Sequence, residues 1–231
     1  RCVDPSGGFF HFYKDDGTVY DTRTRHLVSS TRFVFTQAMA FRRFKNPMYL
    51  QRARHGLAFL QQAHAQPQGG YAWQIDWHDG RATVQDGTHH CYGLAFVLLA
   101  FAHALMAGVA EAAAGLEGTR LLMEQRFWEP QHGLYADEAS PDWQLGSYRG
   151  QNANMHACEA MLAAFDATGE RRFLQRALTL AESVTGRLAA LADGLVWEHY
   201  RVGADGSWSV DWDYNRDDKT NIFRPWGYQT G

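Results

Sequence analysis

One stretch of this chain is written twice. Residues 40–53 read AFRRFKNPMYLQRA and residues 164–177 read AFDATGERRFLQRA. Ala40 matches Ala164, Phe41 matches Phe165, and YLQRA at 49–53 matches FLQRA at 173–177, all at an offset of 124 (164 − 40; 173 − 49). The same offset carries Gly70 to Gly194 and Trp73 to Trp197. An ungapped offset held over such a span marks duplicated structural units. A third copy lies between them. Ala100-Phe101 falls 60 residues after Ala40-Phe41 and 64 before Ala164-Phe165, and GLYAD at 133–137 stands beside GGYAW at 69–73 and GLVWE at 194–198. The unit is about 62 residues long.

Each unit reads as two helices and a turn. Phe33, Phe35, Met39, Phe41 and Phe44 give an apolar first helix, and Asn46-Pro47 then supplies an N-cap and a first-turn proline. Leu50, Ala53, Leu57 and Leu60 follow at helical spacing. In the third unit Phe173, Ala177, Leu180, Ala181, Val184 and Leu188 repeat that stripe. The apolar first helices are expected to face a centre and the amphipathic second helices to face solvent. The closing Gly-aromatic motifs suggest a short strand or hairpin on the rim. Tandem helix pairs of this kind predict an all-α solenoid or toroid, and a closed ring of six pairs would need about twice this length.

Gly93 to Ala110 is apolar except for His103 and approaches the length of a membrane span. Its many alanines and the lack of a basic flank predict a buried helix instead. No signal peptide is legible at the start, and three cysteines (Cys2, Cys91, Cys158) without a CxxC fit a reducing, cytoplasmic setting. A net charge of −3 argues against nucleic-acid binding. Aromatic residues make up 14%, enough both to build a core and to stack on sugars.

Counting eight residues back from each Ala-Phe pair gives Arg32, Tyr92 and His156. All three fall at the start of a first helix, where helix dipoles concentrate positive potential. One such residue alone would be a cap or a satisfied core group; three in register point to a polar pocket. Asn152 lies four residues before His156 and Glu159 three after it, spacings that share a helix face. Asn152 and Asn154 also suit an N-cap. His89, His90, Cys91, His156 and Cys158 match no standard zinc spacing, so no metal is expected. The chain has no GxGxxG, P-loop, HExxH or GxSxG, so nucleotide cofactors and a serine-hydrolase mechanism have no support. Residues 212–226 are rich in charge and aromatics and read as a long functional loop.

The motifs YRGQNANMHACEAM, DYNRDD and FRPWGYQTG, in this order, resemble those of the N-acylglucosamine 2-epimerase superfamily, over about Gly7 to Gly231. The resemblance implies an (α/α)6 barrel, of which the three repeats would be about half. Residues 1–231 would then be a single barrel domain, incomplete at the C-terminus and also at the N-terminus. It also implies roles. Arg32 in STRFVF and Arg224 in FRPWG match substrate-binding arginines, and Tyr92 in CYGLAF matches a pocket tyrosine. Asn152 and His156 match the pair that holds hydroxyls near the anomeric end, with His156 the catalytic candidate. In this family FRPWGYQTG is followed at once by a histidine with a glutamate three residues on. That histidine and a second one far toward the C-terminus are the acid/base pair, so the sequence in hand holds the binding half of such a site.

Proton transfer next to a sugar carbonyl suits imidazoles, whose pKa lies near neutrality. The enediolate oxygen that develops needs donors such as Arg32, His156 and Arg224. The scheme requires no cofactor. The expected function is aldose–ketose isomerisation of mannose-like monosaccharides. The alternative is 2-epimerisation of N-acylglucosamine, and a more distant one is a glycoside hydrolase or lyase on a related toroid. The expected partner is a small monosaccharide, without nucleic acid or membrane, and with a homodimer allowed.

Overall fold

The computed structural model of the chain describes residues 2–214. A hairpin of β1 (Phe12–Tyr13) and β2 (Val19–Asp21) leads through β3 (Thr24–His26) into α1 (Leu27–Phe44) and α2 (Pro47–Phe59). Then come β4 (Gln74–His78), β5 (Arg81–Asp86) and β6 (His89–His90), followed by α3 (Cys91–Met106) and α4 (Ala112–Arg126). The short strands β7 (Trp128–Glu129), β8 (Leu134–Tyr135), β9 (Glu138–Ala139) and β10 (Tyr148–Gly150) precede α5 (Gln151–Thr168) and α6 (Arg171–Glu182). Strands β11 (His199–Val202) and β12 (Trp208–Val210) follow.

The repeat is real in three dimensions. Helix α1 packs on α2, α3 on α4 and α5 on α6, while α3 lies between α1 and α5. This position explains the apolar stretch of the middle unit. Helix α3 is walled on two sides and backed by α4, so every residue from Gly93 to Ala102 is buried. Among the described residues no helix is long and apolar enough to cross a membrane. Asn46 caps α2 as its sequence suggests, its Oδ1 accepting from the Met48 N–H at 3.0 Å, with Pro47 in the first turn. The duplication extends to helix ends. Lys45 and Gly169, 124 residues apart, both cap a first helix in the left-handed conformation, with φ of 58° and 72°.

The expectation of an all-α chain is overturned. The described residues hold five small antiparallel sheets as well as the helix pairs. The reason is local. Each first helix begins directly from a strand, and that strand pairs with one that follows the second helix of its own unit. The pairs are β3 with β4, β6 with β9 and β10 with β11. The connecting backbone would otherwise leave its N–H and C=O groups unsatisfied against the helix ends. In β4, Ile75 and Trp77 are buried while His78 is exposed, the alternation of a half-buried strand. Asp79-Gly80, with φ of 50° and 71°, makes the tight turn into β5.

The start of α5 is held by two carboxyl groups instead of by its own asparagines. The Gly150 N–H donates to Asp137 Oδ2, and Gln151 Nε2 donates to Glu198 Oε2 at 2.7 Å. Asn154 is fully buried and pairs with the backbone of Tyr135, accepting from its N–H at 2.8 Å and donating to its carbonyl at 3.0 Å. Burial pushes the Glu198 carboxyl up from 4.5 to about 7, against the hydrogen bonds from Gln151 and the Asn152 N–H that favour its charge.

Two stability predictions follow from this packing. A Cβ on Gly115 in α4 would lie 2.3 Å from the Phe101 ring of α3, whereas one on Gly118 meets nothing within 4 Å. Gly115→Ala should destabilise by about 1–3 kcal/mol and Gly118→Ala should stabilise by about 0.5–1 kcal/mol, read by urea denaturation. Equal effects at the two positions would refute the close α3–α4 contact. Glu198 holds its proton more tightly folded than unfolded, so its contribution is complete below about pH 4.5 and is lost as pH rises through about 7. Glu198→Gln should therefore raise stability by on the order of 1–3 kcal/mol at pH 8 and by much less at pH 5. A gain that is the same at both pH values would contradict the buried carboxyl.

Candidate active site

Three adjacent helices, each launched from a strand, bring their N-terminal turns together at one end of the layer. Arg32 on α1 donates from Nη2 to the Tyr92 hydroxyl on α3 at 3.4 Å. Its guanidinium lies 4.8 Å from the centre of the Phe96 ring, a cation–π distance. The His156 ring on α5 stands 4.8 Å from Phe96 and 5.1 Å, edge-on, from Tyr92. Arg32, Tyr92 and His156 thus form one continuous cluster with Phe96 in the middle.

Phe96 escaped the sequence reading, and the helix starts show why. Counted from Leu27, Cys91 and Gln151, the sixth residue of each helix is Arg32, Phe96 and His156. Tyr92 sits one turn nearer the helix start than the Ala-Phe landmark suggests. The apolar run of α3 disguised Phe96 as an ordinary core residue.

His156 Nδ1 lies 2.9 Å from Glu159 Oε2, three residues on. A carboxylate oxygen only accepts, so Nδ1 carries the proton. Asn152, one turn before His156, is half-buried, and its backbone N–H serves Glu198. Arg224 lies outside the described residues, as do DYNRDD beyond Tyr214 and all of FRPWGYQTG. The residues weighed as metal ligands go to different places. His89 stacks on Trp143 with ring centres 3.7 Å apart, Cys91 is fully buried, and Cys158 Sγ donates to the Ala177 carbonyl.

Beyond the expected residues, Trp73 is wedged at the same end, 4.3 Å from the His26 ring and 4.1 Å from His90. His26 and His90 are the residues from which α1 and α3 start. Burial holds His90 down at about 4 despite the Asp86 carboxylate nearby. Beside Arg32 a cavity of about 370 Å³ is lined by His11, Ser29, Phe33, Thr36 and Gln37. His11 Nδ1 accepts from the His26 N–H at 3.1 Å. Ser30 Oγ lies 3.0 Å from His64 Nε2, and His64 Nδ1 lies 3.0 Å from the Ala72 carbonyl. That carbonyl only accepts, so His64 Nδ1 is the donor and its Nε2 accepts from Ser30. Burial lowers His11 to about 3 and His64 to about 4, so both are neutral at pH 7. The chain of bonds ties α1 to the segment after α2 and fixes the height of Arg32. Single histidines scattered over fifty residues carried no spacing signal for it.

Taken together, the end of the layer presents a guanidinium, a phenol and an imidazole around an aromatic floor, with three helix N-termini behind them. Such a site favours an oxygen-rich ligand that develops negative charge. The family described as N-acylglucosamine 2-epimerase matches residues 8–231. D-mannose isomerase of Marinomonas mediterranea is 51% identical over 232 aligned residues, covering 100% of this chain and 57% of that protein. A crystal structure of a D-mannose isomerase superposes with a TM-score of 0.91 at 50% identity, over 99% of this chain and 57% of the other. The cellobiose 2-epimerase of Spirochaeta thermophila superposes at 0.75 with 26% identity, over 89% of this chain and 53% of that one. The chain therefore spans somewhat more than half the length of these relatives. The motifs, the family match and the identity to full-chain relatives lead to one conclusion: this chain belongs to the N-acylglucosamine 2-epimerase family.

Proposed function

We propose that the chain contributes the sugar-binding side of the active site of an aldose–ketose isomerase acting on mannose-like monosaccharides. The observation that carries this reading is the meeting of Arg32, Tyr92 and His156 around Phe96 at the ends of three parallel helices. The high identity to D-mannose isomerases supports it over 2-epimerisation of N-acylglucosamine.

In this reading the open-chain sugar lies with its carbonyl end toward His156 and Asn152. Removing the C2 proton sends charge onto the carbonyl oxygen. Arg32 donates to that oxygen and His156 relays a hydroxyl proton to it, and preorganised groups of this kind are worth most where water is excluded. Tyr92 holds the guanidinium and orients a hydroxyl. Returning the proton to C1 completes isomerisation, while returning it to the opposite face of C2 would give the epimer. The family resemblance assigns the proton transfers at carbon to other histidines. Arg224 joins the binding set on the same ground.

The intact protein incubated with mannose in heavy water should yield fructose, with solvent deuterium incorporated, followed by proton NMR. His156→Ala should lower turnover by about 10²–10³, within the scale of losing one general acid–base group, while some exchange at C2 persists. No fructose from the wild type would refute the reading. Complete loss of both isomerisation and exchange in a folded mutant would make His156 the essential base, and an unchanged rate would remove it from the site.

A further inference from the structure

We propose that Glu159 is a positioning residue, one that fixes which nitrogen of His156 meets the sugar. The inference rests on the reading of His156 as a sugar-facing side chain. Residues three apart on α5 face the same way, and the Glu159 carboxylate lies 2.9 Å from His156 Nδ1. The ring is otherwise gripped by aromatic surfaces, the edge of Tyr92 at 5.1 Å and Phe96 at 4.8 Å. A half turn of the ring within that slot would carry Nδ1 away from Glu159, so the bond to the carboxylate sets which way the ring faces. With the proton held at Nδ1, the neutral ring carries its lone pair at Nε2. It presents an acceptor to a sugar hydroxyl, and the imidazolium formed on taking that proton lies against a carboxylate. In an aldose–ketose exchange a hydroxyl proton leaves O2 and one arrives on O1. Nε2 takes the first and returns it to O1, so the ring ends the cycle as it began.

The competing explanation is an ordinary surface ion pair. Glu159 is 56% exposed on its side chain, and an exposed i,i+3 pair adds little to a helix. Glu159 also borders a cavity of about 470 Å³ with Arg42 from α1, His103 from α3 and Asp166 from its own helix. Those groups, with Cys158 on the same cavity wall, Tyr92 against the ring and Arg32 bonded to Tyr92, are the titratable and charged groups around the pair.

The experiment is long-range proton–nitrogen NMR of the intact protein labelled with ¹⁵N-histidine at pH 8, with His156 assigned by its loss in His156→Ala. Isomerisation of mannose is measured on the same samples. Wild type should show the Nδ1–H form. Glu159→Leu should shift His156 to the Nε2–H form and lower kcat about 10–10²-fold, with KM changed by less than about threefold. Glu159→Gln, whose amide oxygen still accepts, should keep the wild-type tautomer and recover most of kcat. An Nε2–H ring in the wild type would overturn the proposal, as would a Leu variant with unchanged tautomer or unchanged kcat. A wild type that fails to isomerise mannose would instead sink the functional reading, while the tautomer measurement still decides whether Glu159 holds the ring.

Discussion

The structure depends on a closure made within each repeat. A strand launches the first helix, the chain passes down and back through the pair, and the returning strand bonds to the one that launched it. That ladder fixes where the helix N-terminus stands. Three such closures side by side bring Arg32, Phe96 and His156 to one level on neighbouring helices. Hydrophobic burial of α3 presses the layers together, but burial is non-directional and sets no height. The height comes from hydrogen bonds in segments only two to five residues long.

Placing polar groups at that level carries a cost that the surroundings offset. Buried polar atoms must find partners. Glu198 and Asp137 accept from the first amides of α5, while Asn154 serves both backbone groups of Tyr135. His64 and Ser30 do comparable work under α1, where Ser30 is 2% exposed and His64 fully buried. The two anchors respond oppositely to acid. His11 and His64 stabilise the fold only while neutral, so their contribution fades as pH falls below 6.5 toward about 3 for His11 and about 4 for His64. Glu198 works against the fold once ionised. Between them, these three groups favour the fold most near neutrality.

Much of this was legible in the sequence, because duplication turns one pattern into a comparison. The helix pairs, the capped start of α2 at Asn46-Pro47, the buried α3 and the positions of Arg32 and His156 all follow from repeats and periodicity. The strands were not foreseen as a layer. Short hairpins such as β4–β5 show their alternation over five residues, too few to compete with a helical stripe running for eighteen, although the Asp79-Gly80 turn signal was there. Phe96 was hidden for a different reason. In a helix where nearly everything is apolar, a phenylalanine that touches Arg32, Tyr92 and His156 has no sequence mark distinguishing it from its neighbours. The carboxyl caps of α5 were beyond reach because Asp137 and Glu198 come from distant segments.

The aromatic ring at the centre of the cluster has a further consequence. Two cation-forming side chains, Arg32 and His156, flank Phe96 at the same level of adjacent helices. Had the middle copy of the triplicated unit kept a charged or hydrogen-bonding group there, the three would satisfy one another, and an arriving ligand would have to break that network. Phenylalanine works as an insulating spacer. It lends its π-face to the guanidinium and its bulk to the imidazole, yet it offers neither a lone pair nor a proton, so the polar ends of its neighbours stay available. Three equivalent posts thus carry two polar groups held apart by one apolar ring.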